Sequence, residues 1–165
     1  PPAEGGGEMI EHVSFEKTTY NVLPYKFEAG TPNYVGSYAF GKAIDYLQEI
    51  GLEKIAEYED DLAKYLEMQL AELSNLRIYA KGQKKAGAVS FNVYREDRAL
   101  IHPFDVGVLL DRQGVAVRTG HHCTQPVMTH FGIPGTVRAS FALYNTFEEA
   151  DALVNAVMKA KTMLS

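Results

Sequence analysis

The sequence predicts an α+β fold, with helices packed on a small, mainly antiparallel sheet. Three observations carry that expectation. Apolar residues recur at intervals of three and four over residues 34–73 and again near the C-terminus. Between those stretches the apolar period shortens to two. The resulting order after residue 35 is helix, helix, strand, strand, helix, strand, loop, strand, helix, which suits helices layered on an antiparallel sheet.

Residues 1–34 are expected to be irregular with short extended pieces; residues 9–15 partly alternate, and KFEAGTPN (residues 26–33) is a Gly/Pro turn segment. Asn33 can cap the first helix, whose apolar positions Val35, Tyr38, Ala39, Ala43, Tyr46, Leu47 and Ile50 define one face. Gly51 stands where a glycine ends a helix. A second helix follows over residues 52–73, with Ile55, Tyr58, Leu62, Leu66, Leu70 and Leu73 as its stripe and its charged residues expected in solvent. Leu76 and Ile78, then Val89, Phe91 and Val93, alternate as strands, and the lysines of KGQKKAG (residues 81–87) between them are expected on a solvated turn. Residues 102–113 form a short helix ended by Gly114, and residues 115–117 a short strand leading into Arg118. A helical turn over 127–131, a strand over 137–143 and a last helix complete the series. That helix opens with Thr146 and, three residues on, Glu149, a capping box, and buries Ala150, Leu153, Val154, Val157 and Leu164.

Composition narrows the function. The chain has 165 residues, 46% hydrophobic and 22% charged, which is an ordinary globular balance with no apolar run long enough to span a bilayer. A net charge of −5 argues against nucleic acid as partner, because that needs a basic face. A single cysteine cannot form an internal disulfide, which favours a reducing compartment, here the cytoplasm. The opening PPAEGGGEMI lacks an initiator methionine, and residue 1 is expected to lie within a longer polypeptide.

That cysteine sits in RTGHHCTQP, residues 118–126, and three readings of it stay open on the residues alone. His121, His122 and Cys123 are all zinc-type ligands, but adjacent residues seldom converge on one ion and spacings such as C-x-x-C are absent, so no metal is expected. Free cysteine is among the most buried residue types, which would make Cys123 a structural thiol. Its neighbours point instead to an accessible nucleophile: Gly120 permits a tight backbone, Pro126 stiffens the exit, and Thr124 and Gln125 are polar. Cationic groups favour thiolate over thiol, and Arg118, His121 and His122 are placed to supply them.

Arg138 lies in TVRASFALYNT, out of phase with the apolar Val137, Ala139, Phe141 and Leu143 and in phase with the small Ser140 and Ala142. Small neighbours around a guanidinium suit an anion pocket, a carboxylate above all; an outward surface charge is the alternative. EAGTPN offers the Gly30 amide and the Thr31 hydroxyl in a turn, a generic anion cradle.

R-T-G-H-H-C-x-Q-P, followed fifteen residues beyond the cysteine by R-A-S-x-A-x-Y-N-T, resembles the C-terminal part of SUF-type (group II) cysteine desulfurases. These are class V members of the fold-type I pyridoxal-phosphate (PLP) enzymes. E-G-G-G-x-M-I (residues 4–10) and F-E-A-G-T-P-N (residues 27–33) resemble the same family in the same order. The resemblance implies that residues 1–35 are the end of a large PLP-binding domain and residues 36–165 a small C-terminal domain. It implies a homodimer that converts L-cysteine to L-alanine, PLP serving as electron sink, and leaves a persulfide on Cys123. That sulfur would pass to a small SUF acceptor protein for iron–sulfur cluster assembly. Arg138 matches the clamp on the substrate carboxylate. Gly30 and Thr31 match a contact to the PLP phosphate of the neighbouring subunit, and Arg118, His121 and His122 take tuning and positioning roles in the loop. The family's attachment lysine, in an S-x-H-K-type motif, is not among these residues, so the fragment alone is expected to be inactive. Bacterial selenocysteine lyases share the motifs and remain an alternative, as does a non-catalytic interaction module that retains the fold.

Overall fold

A computed structural model describes residues 1–164. Its contacts divide the chain into two compact units, Pro1–Glu49 and Ile50–Ser165. No residue of the first helix, 34–50, is buried.

In the first unit, β1 (Ile10–Val13) and β2 (Thr18–Tyr20) form an antiparallel hairpin. Ser14 closes its turn: the hydroxyl accepts from the amides of Glu16 and Lys17 at 3.3 and 3.0 Å. The short extended pieces expected in this segment are thus paired as a ribbon. Helix α1 (Tyr34–Ile50) starts at Asn33, whose Oδ1 accepts from the Gly36 amide at 2.9 Å, as a capping side chain should.

The second unit is the α+β body the periodicity predicts. Four strands, β3 (Leu76–Ile78), β4 (Ala88–Val93), β5 (Arg118–Gly120) and β6 (Thr136–Ser140), form one sheet in the order β3-β4-β6-β5, antiparallel throughout. Val89, Phe91 and Val93 of β4 and Val137 and Ala139 of β6 turn one face of it into the core. Helices α2 (Leu52–Ala71), α3 (Pro103–Asp111) and α5 (Phe147–Leu164) contribute Leu66, Leu70, Val106, Leu110, Leu153 and Val157 to the same cluster. Tyr58 and Tyr65 of α2 meet Phe147 edge-on, and their hydroxyls donate to the Asn145 carbonyl and to Asp151 at 2.7 and 2.8 Å. The α5 capping box forms in both directions: the Glu149 amide donates to Thr146 Oγ1 at 3.3 Å and the Thr146 amide to Glu149 Oε2 at 3.0 Å.

Several boundary readings shift: the strand expected over 137–143 is Thr136–Ser140, and the helical turn expected over 127–131 starts at Gln125. The strand expected over 115–117 begins its ladder only at Arg118; Val115 and Val117 instead pack against the core as an approach to it. His102 is a cap rather than a helical residue, its Nδ1 accepting from the Phe104 amide at 3.3 Å. One charge reading also fails. Glu67 of α2 is buried, pairs with Lys85 of the KGQKKAG loop, and accepts from the Gly82 amide at 3.1 Å. Lys85 is therefore stapled to α2, while Lys81 and Lys84 are exposed as expected of a turn, and burial pushes the Lys85 ammonium down.

Candidate active site

The other sheet face carries the candidate site. Residues directly opposite in an antiparallel pair share a face. On β6, Arg138 is opposite Ser90 of β4 on one side and Arg118 of β5 on the other. Two like charges directly opposite in a ladder destabilise it, so this pairing calls for an anion. A cleft of about 460 Å³ opens over that face, lined by Arg138, Ser90, His122, Tyr79, Met128 and Phe131 among others. The small residues that leave the space are Ala86, Ala88 and Ser90; Ser140 and Ala142, the phase neighbours noted in the sequence, do not line it.

The cysteine loop leaves β5 at Gly120, whose φ of 114° only glycine adopts readily. His122 and Cys123 then take left-handed backbone in succession, with φ of 54° and 61°. Three contacts hold that turn. The Cys123 amide donates to His121 Nδ1 at 3.0 Å; the Thr124 amide and hydroxyl donate to the His121 carbonyl at 2.9 and 2.8 Å; and the His122 ring rests on Thr136 of β6, its Nε2 at 2.9 Å from Oγ1 and 3.2 Å from the carbonyl oxygen. The chain next enters α4 (Gln125–Phe131), with Pro126 in the first turn, so the proline starts a helix here as well as stiffening the exit.

Cys123 is exposed, and Arg118 Nη2 lies 4.0 Å from its Sγ. Of the three residues expected to supply positive charge, Arg118 brings its guanidinium to the sulfur. An imidazole nitrogen that accepts a hydrogen bond carries no proton, so His121 Nδ1 offers none in this arrangement. His122 is held below the ordinary imidazole range, first by burial and next by the Arg138 charge, against a smaller opposing effect of the Thr136 backbone. Since a carbonyl only accepts, the bond to Thr136 makes Nε2 the protonated nitrogen of neutral His122.

Among the described residues, three of the five buried side-chain polar atoms without a hydrogen-bond partner belong to this face: Arg138 Nε, His122 Nδ1 and Asn92 Oδ1. Native proteins leave few such atoms, and they concentrate where a ligand completes the site. Tyr79 forms the aromatic wall with Phe131, ring centroids 5.1 Å apart, under the Arg77 guanidinium. Burial, followed by a hydrogen bond to Tyr94, pushes its phenol up to about 12. Sequence reasoning missed Tyr79, Ser90, Asn92 and Thr136. The usable signal was SFNV, a strand whose polar phase is not a solvent phase.

In the first unit, Gly30 has a φ of 79°, but its amide donates to the Gly7 carbonyl at 2.9 Å. The cradle inferred from EAGTPN therefore lacks that donor, and the exposed Thr31 is the remaining one.

Among the described residues no group of three or more His, Cys, Asp or Glu side chains could hold a metal ion, and no helix is long and apolar enough to cross a membrane. The family profile described as aminotransferase class-V matches residues 1–153. A probable cysteine desulfurase of Halalkalibacterium halodurans is 48% identical over 160 residues, 97% of this chain and 38% of the relative. A cysteine desulfurase of Salmonella newport is 45% identical over 165 residues, 99% of this chain and 39% of the relative. The crystal structure of the cysteine desulfurase CsdA from Escherichia coli, in an S-sulfonic acid form, superposes with a TM-score of 0.84 at 37% identity, covering 99% of this chain and 39% of that one. The chain thus spans under two fifths of the length of the relatives it matches.

Proposed function

Because the chain belongs to the aminotransferase class-V family, we propose that it is the C-terminal part of a PLP-dependent cysteine desulfurase. In this reading residues 1–35 close the large domain and residues 36–165 form the small one. One observation carries it: an exposed thiol with a guanidinium 4.0 Å from its sulfur, on a loop leaving the strand paired with that of Arg138.

Arg138 takes the carboxylate of L-cysteine, its planar fork matching two oxygens at once. The anion relieves the repulsion between Arg138 and Arg118. Arg118 favours the thiolate of Cys123, and the left-handed turn presents it to the substrate sulfur. PLP, bound with Thr31 on its phosphate in the partner subunit, supplies the electron sink for breaking the substrate's carbon–sulfur bond. The Cys123 thiolate forms a bond to the substrate sulfur as that sulfur leaves carbon; the electron pair of the broken bond stays with carbon, which ends as L-alanine after taking a proton. The persulfide then passes to a small SUF acceptor protein in the cytoplasm for iron–sulfur cluster assembly, from a homodimer. Neutral His122 and His121 hold the loop.

The test is Cys123→Ala in the full-length protein. PLP absorbance is expected to remain, while persulfide formation from L-cysteine disappears; continued persulfide formation would overturn the assignment. Turnover on selenocysteine beside cysteine distinguishes the lyase reading, which requires the selenium substrate to be much the better one.

A further inference from the structure

Asn92 is fully buried and lies on β4 in the phase of Ala88 and Ser90, the residues under the cleft. Asparagine is depleted in strands, and this one leaves its own Oδ1 without a partner. An apolar side chain would fill the position without that cost, so its amide nitrogen needs an explanation. That nitrogen donates to the Gly135 carbonyl at 3.0 Å and to the Tyr79 hydroxyl at 3.1 Å. The carbonyl can only accept, which fixes the orientation of the amide.

Each acceptor leads to one end of the cysteine loop. A Cβ on Gly135 would stand 2.6 Å from the carbonyl carbon of Gly120. The two backbones are thus in direct contact where the loop leaves β5. Tyr79 carries its ring against Phe131, the last residue of α4, the helix the loop runs into. A single NH2 group therefore supports both the entrance and the exit of the segment that bears Cys123.

We propose that Asn92 is a positioning residue for Cys123: through Gly135 it sets the seat of Gly120, through Tyr79 and Phe131 the seat of α4, and between them the direction of the thiol. The proposal rests on the reading of Cys123 as the sulfur-accepting nucleophile.

The experiment uses the full-length, PLP-loaded protein. Asn92→Asp keeps the shape of the side chain and removes both donors; Tyr79→Phe removes only one acceptor and carries the test if the aspartate variant fails to fold. For Asn92→Asp, kcat for persulfide formation should fall by about tenfold or more while KM for L-cysteine stays within about twofold. The rate of Cys123 alkylation by iodoacetamide should change in the same variant, and Tyr79→Phe should show both effects more weakly. Val157→Ala, in the core on α5, is the stability control: it lowers the melting temperature and leaves both rates. The proposal fails if the Asn92 and Tyr79 variants keep parental rates, or lose activity only as Val157→Ala does for the same loss of melting temperature. Cys123→Ala separates the two readings, because loss of persulfide there with unaffected Asn92 and Tyr79 variants sinks only the present inference.

Discussion

Replacing Arg138 by alanine separates a ligand-binding arginine from a structural one, because the two roles move two measurements in opposite directions. The guanidinium is half-buried, its Nε has no partner in the fold, and its cross-strand neighbour is another arginine. A hydrogen bond to a charged group contributes about 1.5–3 kcal/mol, which corresponds to a loss of roughly 12- to 160-fold in affinity for the carboxylate. Steady-state release of alanine or sulfide from L-cysteine by the full-length protein should show KM rising by at least about tenfold. Folding should respond otherwise. Removing one of two like charges set opposite each other relieves a repulsion on the order of 0.2–1 kcal/mol, so the melting temperature should hold or rise slightly. Arg138→Lys keeps the charge and loses the planar fork, and its KM should fall between the two. A KM within about twofold of the parent, together with a lowered melting temperature, would show that Arg138 serves the fold and that the carboxylate binds elsewhere.

Two further outcomes follow from the same geometry. His122 has its protonation depressed below the ordinary 6.5 by burial and by Arg138, so the unfolded chain takes up that proton first as pH falls. Stability should therefore decline as pH drops through about 6.5 toward the depressed value, with the charges of Arg118 and Arg138 unchanged throughout. Melting curves of His122→Asn should show a shallower decline; an identical slope would place the acid sensitivity on other groups. Thr146→Ala removes the hydroxyl half of the α5 capping box and should cost about 1 kcal/mol by denaturant midpoint, with catalysis unchanged; no measurable loss would mean that Glu149 and Asn145 cap the helix alone.

What was legible in the sequence was whatever a local pattern could carry. The stripes of α2 and α5, the Asn33 cap, the Thr146 box and the inward phase of β4 all follow from spacing alone, because each is decided within a few residues. The loop around Cys123 announced itself through residue type. What could not be read is pairwise and long-range. Nothing in HHC says that His122 rests on Thr136, fourteen residues on, or that Arg118 and Arg138 end up opposite each other. Glu67 looked like one more surface charge of α2 until the loop after β3 folded back and covered it. Asn92 was hidden for a related reason: a polar residue in a strand suggests solvent, and only the tertiary fold supplies Tyr79 and Gly135 as its partners.

The backbone of the cysteine loop explains why so many weak contacts converge on it. Left-handed conformation in a residue with a Cβ costs roughly 1–2 kcal/mol, and here two such residues follow one another. Glycine at either position would remove the strain, yet position 123 must carry sulfur and position 122 the ring that reaches Thr136. The strain persists only if the surroundings over-determine the turn. The contacts from Cys123 to His121, from Thr124 to the His121 carbonyl and from His122 to Thr136, each worth about 1 kcal/mol net, are of the right total size to do so. A relaxed loop would let the thiol sample many directions. A strained loop that is pinned at several points holds it in one, beside Arg118, and under the proposed function that fixed direction is what a sulfur-to-sulfur attack requires.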